Sequence, residues 1–468
     1  MSHFEKVKKS TNTALSKIIK DLEQEGIRNV HVHAPDLNGL LRTKIVPLHC
    51  LKSGLTINSS IYALSHSDGY PIGDIVYESP HIWFHTGFGN IFAYPDKDTL
   101  CPLPWVANSA EVILNTFHRE GDRYCLDLRQ PLEALEQKLK AKRLVLKVGF
   151  EFEFGIFHYD RELLEQGRHN ELKPFGQSQM YSSLSRDPEY MALMAELQKR
   201  LNTLGIGIAS METESGKGMY EVALEPETPL KAADNAVLFR HHLKLLCREK
   251  GLIATFMARY QPIGQDAACG THIHLSLYDK TGNNLFKHDE KVLSAKGEQF
   301  LSGLLHRIKE SHLAFRPTIN SYRRLTKMTG CPEEICWGNE NRLVAVRLAH
   351  SPNPNNIRFE HRCSGADINA YIALTLIAAA GLDGLENKYD LPPLVESNPD
   401  DVKGLEKLPR TLKESIELFK ESDFVKNTLG KELAEQYWLS RENELSAFQA
   451  WIDKEITTFE FQRYFEGV

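Results

Sequence analysis

Polar and apolar positions alternate without a break through VGFEFEFGIF, Val148 to Phe157. Phe150, Phe152 and Phe154 fall on one parity and Glu151 and Glu153 on the other, so a strand here carries a phenylalanine face and a carboxylate face. Two later runs keep the same period. In THIHLSLYD, His272, His274 and Ser276 oppose Ile273, Leu275 and Leu277; in IRFEHRC, Arg358, Glu360 and Arg362 alternate with Phe359 and His361. One such strand is an ordinary half-solvated strand. Three that carry carboxylates, imidazoles and guanidiniums predict the wall of a polar cavity. A fourth segment, METESGKGMYEVALE, sets Glu214 and Glu221 on either side of a glycine-rich turn.

Helical periodicity fills much of the remainder. TNTALSKIIKDLEQEGIR predicts a helix over 11–28 with Leu15, Ile18, Ile19 and Leu22 on one stripe and Gly26 closing it. NVHVHAPDLNGLLRTKIVP reads as strand, turn and strand about Asn38-Gly39. Asp187-Pro188 opens a helix whose Leu193, Met194, Leu197 and Leu201 share a face, closed at Gly205. KAADNAVLFRHHLKLLCREKG and NAYIALTLIAAAGLDGLENK are two more helices, the second so rich in Ala and Leu that it belongs in the core. Pro102 and Pro104 mark a boundary near residues 105–112.

Composition narrows the class. The chain has 468 residues, enough for two domains, and its 42% hydrophobic and 25% charged content is that of a soluble globular protein. A formal net charge of −6 argues against a nucleic-acid partner. No apolar run approaches the ~20 residues of a membrane helix, and the start lacks a secretory core. The eight cysteines form no CxxC pair and read as reduced thiols, so a cytoplasmic location is expected. Cys331 and Cys336 have no zinc-ligand partners at fitting spacing.

The polar strands restrict the chemistry. Glu and His offer oxygen and nitrogen donors suited to Mg²⁺ or Mn²⁺, with no thiolate set for zinc. Clustered carboxylates repel one another unless cations neutralise them. Arginines alongside imply an anionic substrate held bidentately, and metals with arginines around phosphates are the usual apparatus of phosphoryl transfer. No GxxxxGK[ST] sequence is present, so a nucleotide site must be of another type.

The ordered set EFE, E…GxGxxE, GTHIHLS, NSYRRL, NRLVAVR, RFEHR and a helix ending GLDGLENK, spread over residues 145–393, resembles the glutamine synthetase superfamily. The resemblance is weaker in the N-terminal part, at DLNGLLRTK. It implies an α+β fold: an N-terminal β-grasp-like domain (residues 1–110) followed by a glutamine-synthetase catalytic domain (111–468) with a curved antiparallel sheet. It also implies a homo-oligomer, a dodecamer of two stacked hexameric rings, in which a neighbour's N-terminal domain completes each site. Glu153, Glu214 and Glu221 match the ligands of one divalent metal, and Glu151, His272 and Glu360 those of a second. His274, Ser276, Arg342 and Arg347 match ATP contacts, with Arg358 near the phosphates; Arg324, Arg342 and Arg362 match substrate-binding positions, and Arg342 and Arg362 catalytic ones. The implied activity is that of an ATP-dependent carbon–nitrogen ligase: glutamate is phosphorylated on its γ-carboxylate, and an amine displaces the phosphate. A noncatalytic oligomer on the same fold would be expected to have lost some of the six ligands.

The chain departs from the family pattern at its substrate rim. Ammonia-using members carry an Asp where GLTINSSI has Asn58, and a flap Glu where TKMTGCPEE has Gly330. An Asn-Gly that touches glutamate reads Ala267-Ala268, and an ATP-contacting Glu reads Ala209. CWGNENR and MARYQP resemble the branch that joins glutamate to larger amines, the γ-glutamylpolyamine and γ-glutamylamide synthetases; ordinary glutamine synthetase is the alternative. Glu333 and Glu334 offer themselves as bases for the amine. Tyr389, in ENKYDLPP, follows its helix too closely for the adenylylation seen in regulated members and is expected to pack against the body.

Overall fold

The computed structural model describes residues 15–65, 76–176, 180–261, 268–287, 292–326, 329–454 and 456–466. The first helix runs over residues 15–24 and buries Leu15, Ile19 and Leu22, leaving Ile18 at the margin; its predicted start at residue 11 lies outside the described residues. Six strands then build one sheet: β1 (Asn29–Pro35), β2 (Leu41–Pro47), β3 (Leu55–Asn58), β4 (Asn90–Pro95), β5 (Cys101–Pro102) and β6 (Ser109–Phe117), in the order β2-β1-β6-β4-β3 with β5 against β6. β1 and β2 form the hairpin expected around Asn38-Gly39, and β1 pairs with β6 in parallel. Residues 110 and 111, where the sequence reading divided the chain, lie inside β6.

The second sheet has eight strands: β7 (Leu144–His158), β8 (Ile208–Thr213), β9 (Met219–Leu224), β10 (Leu252–Thr255), β11 (Thr271–Asp279), β12 (Trp337–Asn339), β13 (Val346–Ala349) and β14 (Arg358–His361). Their order is β12-β13-β14-β11-β7-β9-β8, with β10 alongside the far end of β7. All pairs are antiparallel except β12–β13 at one edge, which is parallel. Phe150, Phe152 and Phe154 of β7 are buried on one side of the sheet, where Phe152 stacks on Phe239 (5.3 Å) of the helix Pro229–Glu249 and packs edge-on to Phe256. Behind that helix lies Ala370–Asn387, buried along most of its length. Its Gly384 lets the helix Ala295–Arg307 approach so closely that a Cβ there would stand 2.2 Å from the Gln299 carbonyl oxygen. Among the described residues no helix is long and apolar enough to cross a membrane.

Two buried polar knots tie the sheets together. Arg129 donates to Asp234 (Nε 3.0 Å, Nη2 2.6 Å), to Asp96 (2.8 Å) and to Asn115, while Tyr371 donates to Asp234 at 2.7 Å. Glu111 of β6 bridges His33 of β1 (3.1 Å) and His242 of the helix Pro229–Glu249 (3.0 Å). Neighbouring His241 is half-buried, and desolvation, helped by His33 and His242, pushes its pKa down to about 3; burial also holds His312 well below the ordinary histidine value. The unfolded chain takes up protons on both near pH 6.5 and the folded chain does not, so their stability contribution is full above pH ~6.5 and falls as pH drops toward ~3. The loss is about 1.4 kcal/mol per histidine per pH unit. The change in melting temperature on going from pH 7.5 to 5.5 is therefore expected to be more favourable in His241→Gln than in wild type; an equal or less favourable change would contradict this.

Candidate active site

Strand register brings the polar positions together. Glu151 lies opposite His272 on β11, and Glu153 opposite Glu221 on β9. His274 faces Glu360 of β14, and Arg347 of β13 faces the same glutamate from the other side. Because side chains alternate across each strand, these pairs share the face opposite the phenylalanines. Glu214, in the turn between β8 and β9, completes the set, and its backbone N–H donates to the Met219 carbonyl at 2.9 Å.

The carboxylates differ in what surrounds them. Burial alone would raise the pKa of Glu151, but hydrogen bonds to His272 Nδ1 (2.8 Å) and His274 Nε2 (3.1 Å) hold it well below the carboxylate range. Burial likewise acts on Glu360, where Arg362 and the two histidines outweigh it and bring the value to about 2. Arg347 Nη1 donates to Glu360 Oε2 at 2.9 Å, and Arg362 Nη1 donates to Oε1. Glu214 and Glu221 have no such cations. Burial and then Glu153 raise Glu214 to about 7, and burial with Glu151, Glu153 and Glu214 raises Glu221 further.

Ligand atoms of Glu153, Glu214 and Glu221 all lie within 4.8 Å of one another, as do those of Glu151, His274 and Glu360, and those of Glu151, Glu221 and His272. The first group is the trio expected from sequence. In the second, His274 takes the place expected for His272, although His272 Nδ1 is 3.5 Å from Glu360 Oε1. An oxygen and nitrogen donor set in which burial and neighbouring carboxylates raise the proton affinity of Glu214 and Glu221 fits hard divalent cations.

At one end of this face is a cavity of about 620 Å³ lined by Lys147, His274, Ser276, Lys280 and Arg358 among others, so three of the residues expected to contact ATP line it. Ser276 Oγ donates to the Ile357 carbonyl (3.0 Å), and Arg358 Nε donates to His274 Nδ1 (3.2 Å). Arg347 is held between Glu340 and Glu360, and Arg342 is exposed at the rim, close enough to act on the Tyr181 hydroxyl. Arg324 is buried whereas Arg323 is exposed. Its Nη1 donates to the Ser364 carbonyl (2.8 Å), and Nη2 approaches Gly270 so closely that a Cβ there would stand 2.7 Å away. The Nε atoms of Arg324 and Arg362 are buried without a protein acceptor, as befits guanidiniums waiting for an anion.

The rim residues are equally specific. Asn58 is exposed; its Oδ1 accepts from Ser60 N (2.8 Å) and its Nδ2 donates to the Phe88 carbonyl (3.0 Å). Gly330 sits at φ +63° with open space around it. Ala268 is buried, Ala267 lies outside the described residues, and Ala209 is the exposed residue of a bulge in β8. Glu333 is ion-paired with Arg410 (3.2 Å) and Glu334 with Lys407. The Tyr389 hydroxyl donates to Asp383 (2.8 Å), accepts from Arg307 (2.9 Å), and its ring stacks on His306 (3.7 Å). Held in this way it is expected to carry no adenylyl group, and an AMP adduct on Tyr389 by mass spectrometry of protein from its native cell would contradict this.

Three residues of the face escaped the sequence reading. Glu212 lies opposite Glu221 and accepts from Ser182. Its parity with Glu214 in METES was the available signal. Tyr181 stands near Glu212 and Glu214 from a loop without periodicity. Glu340 grips Arg347.

A curved sheet presenting such donors beside guanidiniums and a nucleotide-sized cavity defines a metal-dependent enzyme of phosphate chemistry. The model of the glutamine synthetase catalytic domain matches residues 126–464, and the chain belongs to that family of ATP-dependent carbon–nitrogen ligases. A type-1 glutamine synthetase of Dictyostelium discoideum is 31% identical over 93% of this chain and 83% of its own length. A γ-glutamylethanolamide synthetase of Streptomyces coelicolor is 29% identical over 81% of this chain and 80% of its own. The fold matches a solved structure described as a GmaS/ADP complex, with a TM-score of 0.80 and 24% identity over 96% of this chain and 99% of that one.

Proposed function

We propose that the protein joins the γ-carboxyl group of glutamate to an organic primary amine, with ATP converted to ADP and phosphate. The reading rests on one contrast: the donor face is complete, while the carboxylates that would cage an ammonium ion are missing. In this reading Glu153, Glu214 and Glu221 hold one Mg²⁺ or Mn²⁺, and Glu151, His272 and Glu360 hold another, with His274 in reach of the second. Bound there, the cations supply charge neutralisation around the transferring phosphoryl group. His274, Ser276 and Arg358 border the nucleotide, with Arg342 closing in from the rim. Arg324 and Arg362 orient the acid and offer their free Nε–H groups to oxygens that gain charge.

Ammonium is small and needs a tight anionic cage to be bound and deprotonated. Neither Asn58 nor Gly330 supplies one, and Glu333 and Glu334 are occupied. Beside Asn58 stand three rings in mutual contact, Trp83, Phe84 and Phe88 (centroids 5.0–6.3 Å apart), with Phe84 75% exposed. In the assembly that family likeness implies, a neighbour's N-terminal sheet brings these rings to the amine side. There they favour an alkylammonium through cation–π contact and burial of its chain, about 0.8 kcal/mol per CH₂. On this view the N-terminal domain ends with β6 and the catalytic domain follows it. A γ-glutamylethanolamide synthetase among the relatives supports an amine larger than ammonia.

The test holds glutamate and ATP fixed and compares kcat/KM for ammonium with a panel of monoamines, amino alcohols and diamines. At least one amine is expected to exceed ammonium by tenfold or more. Ammonium outperforming all of them would make the protein an ordinary glutamine synthetase.

A further inference from the structure

Glu340 has φ +54°, in the left-handed region that a side-chain-bearing residue occupies at a cost of order 1 kcal/mol. The conformation folds its carboxylate over the end of β13. There Oε2 accepts from Arg347 Nε (3.1 Å) and Nη2 (2.5 Å), and Oε1 accepts from the His350 backbone N–H (2.5 Å). Asn339 beside it binds His350 Nε2 at 2.7 Å, so the whole turn is fastened to the strand end. Arg347 reaches the other way, its Nη1 donating to Glu360 Oε2 at 2.9 Å. Its nitrogens are thus shared between two carboxylates, one at the centre of the donor face and one outside it.

We propose that Glu340 is a positioning residue: by anchoring Arg347 it fixes the Glu360 carboxylate and thereby sets the affinity of the centre for divalent cations. Two effects act with the same sign. Without the anchor Arg347 stays paired to Glu360 but no longer fixes the direction of its Oε2, so the carboxylate is less well oriented. Without the Glu340 charge, the guanidinium is less neutralised and repels a cation next to Glu360 more strongly. Residues that orient a ligand in this way typically change metal affinity 10–100-fold.

The inference rests on Glu360 being a ligand, and the experiment separates the two. Mn²⁺ binding to the full-length protein is followed by the loss of the free-ion electron paramagnetic resonance signal, without substrates, for wild type, Glu340→Gln, Glu340→Gly and Glu360→Gln. Glycine suits the left-handed backbone, so Glu340→Gly removes the carboxylate while relieving strain and keeps the fold. Both Glu340 variants are expected to bind Mn²⁺ about tenfold more weakly, with Glu340→Gly unfolding at no lower temperature than wild type in the absence of metal. Binding as tight as wild type or tighter in both, while Glu360→Gln weakens it, would overturn the role of Glu340. Unchanged binding in Glu360→Gln as well would overturn the ligand assignment and this inference with it.

Discussion

Glu221→Ala is expected to fold and to lose turnover about a thousandfold or more. Glu221 is buried, and its proton affinity is raised first by burial and then by Glu151, Glu153 and Glu214, with no cationic side chain to offset them. Its removal relieves repulsion in the metal-free protein, so stability is kept or gained. What is lost is one donor of the Glu153–Glu214–Glu221 group, and with it several kcal/mol of charge stabilisation during phosphoryl transfer. The same variant should lose the rise in melting temperature that Mg²⁺ or Mn²⁺ gives wild type, a linkage worth about 2.7 kcal/mol at a hundredfold excess over Kd. Cation and proton compete for Glu214, whose pKa is near 7, so metal binding is expected to release protons and weaken as pH falls below 7. Glu360→Ala differs in one respect. It leaves Arg347 and Arg362 without their carboxylate, and destabilisation is expected on top of inactivity. Activity in Glu221→Ala, together with melting indifferent to both ions in wild type, would refute the ligand assignment.

Asp234→Ala is expected to cost about 3–5 kcal/mol of stability without any contact to the donor face. Asp234 accepts both Nε and Nη2 of Arg129 and the Tyr371 hydroxyl, and Arg129 is 1% exposed. Removing the acid strands a buried guanidinium that also joins Asp96 and Asn115 of the first sheet. Chemical denaturation should show the loss; a variant as stable as wild type would mean that water reaches Arg129 and replaces the pair.

The donor face was legible because period two needs no knowledge of distant contacts. Phe150, Phe152 and Phe154 on one side of β7 force Glu151 and Glu153 to the other, and the same holds for β11 and β14. What local pattern could not supply was register. Register sets His274 opposite Glu360 and so brings a second imidazole to Glu151 and Glu360 beside His272. Arg347, expected at the nucleotide, also lies between Glu340 and Glu360, and the left-handed backbone of Glu340 that makes this possible is not announced by sequence pattern. Pro102 and Pro104 mark the expected boundary near residues 105–112; Pro102 lies in the short edge strand β5, where proline is tolerated, and β6 beyond it pairs in parallel with β1. The Glu111–His33–His242 knot joins three segments far apart in the chain, each unremarkable alone.

The most direct test follows one oxygen atom. Glutamate labelled with ¹⁸O in its γ-carboxylate is incubated with the enzyme, ATP, Mg²⁺ and the best amine of the panel, and the released phosphate is analysed by mass spectrometry. If the γ-carboxylate attacks ATP and the amine then displaces phosphate, one labelled oxygen leaves with each phosphate, in step with amide formed. Phosphate released in step with amide but free of label would contradict an acyl phosphate of glutamate on this face.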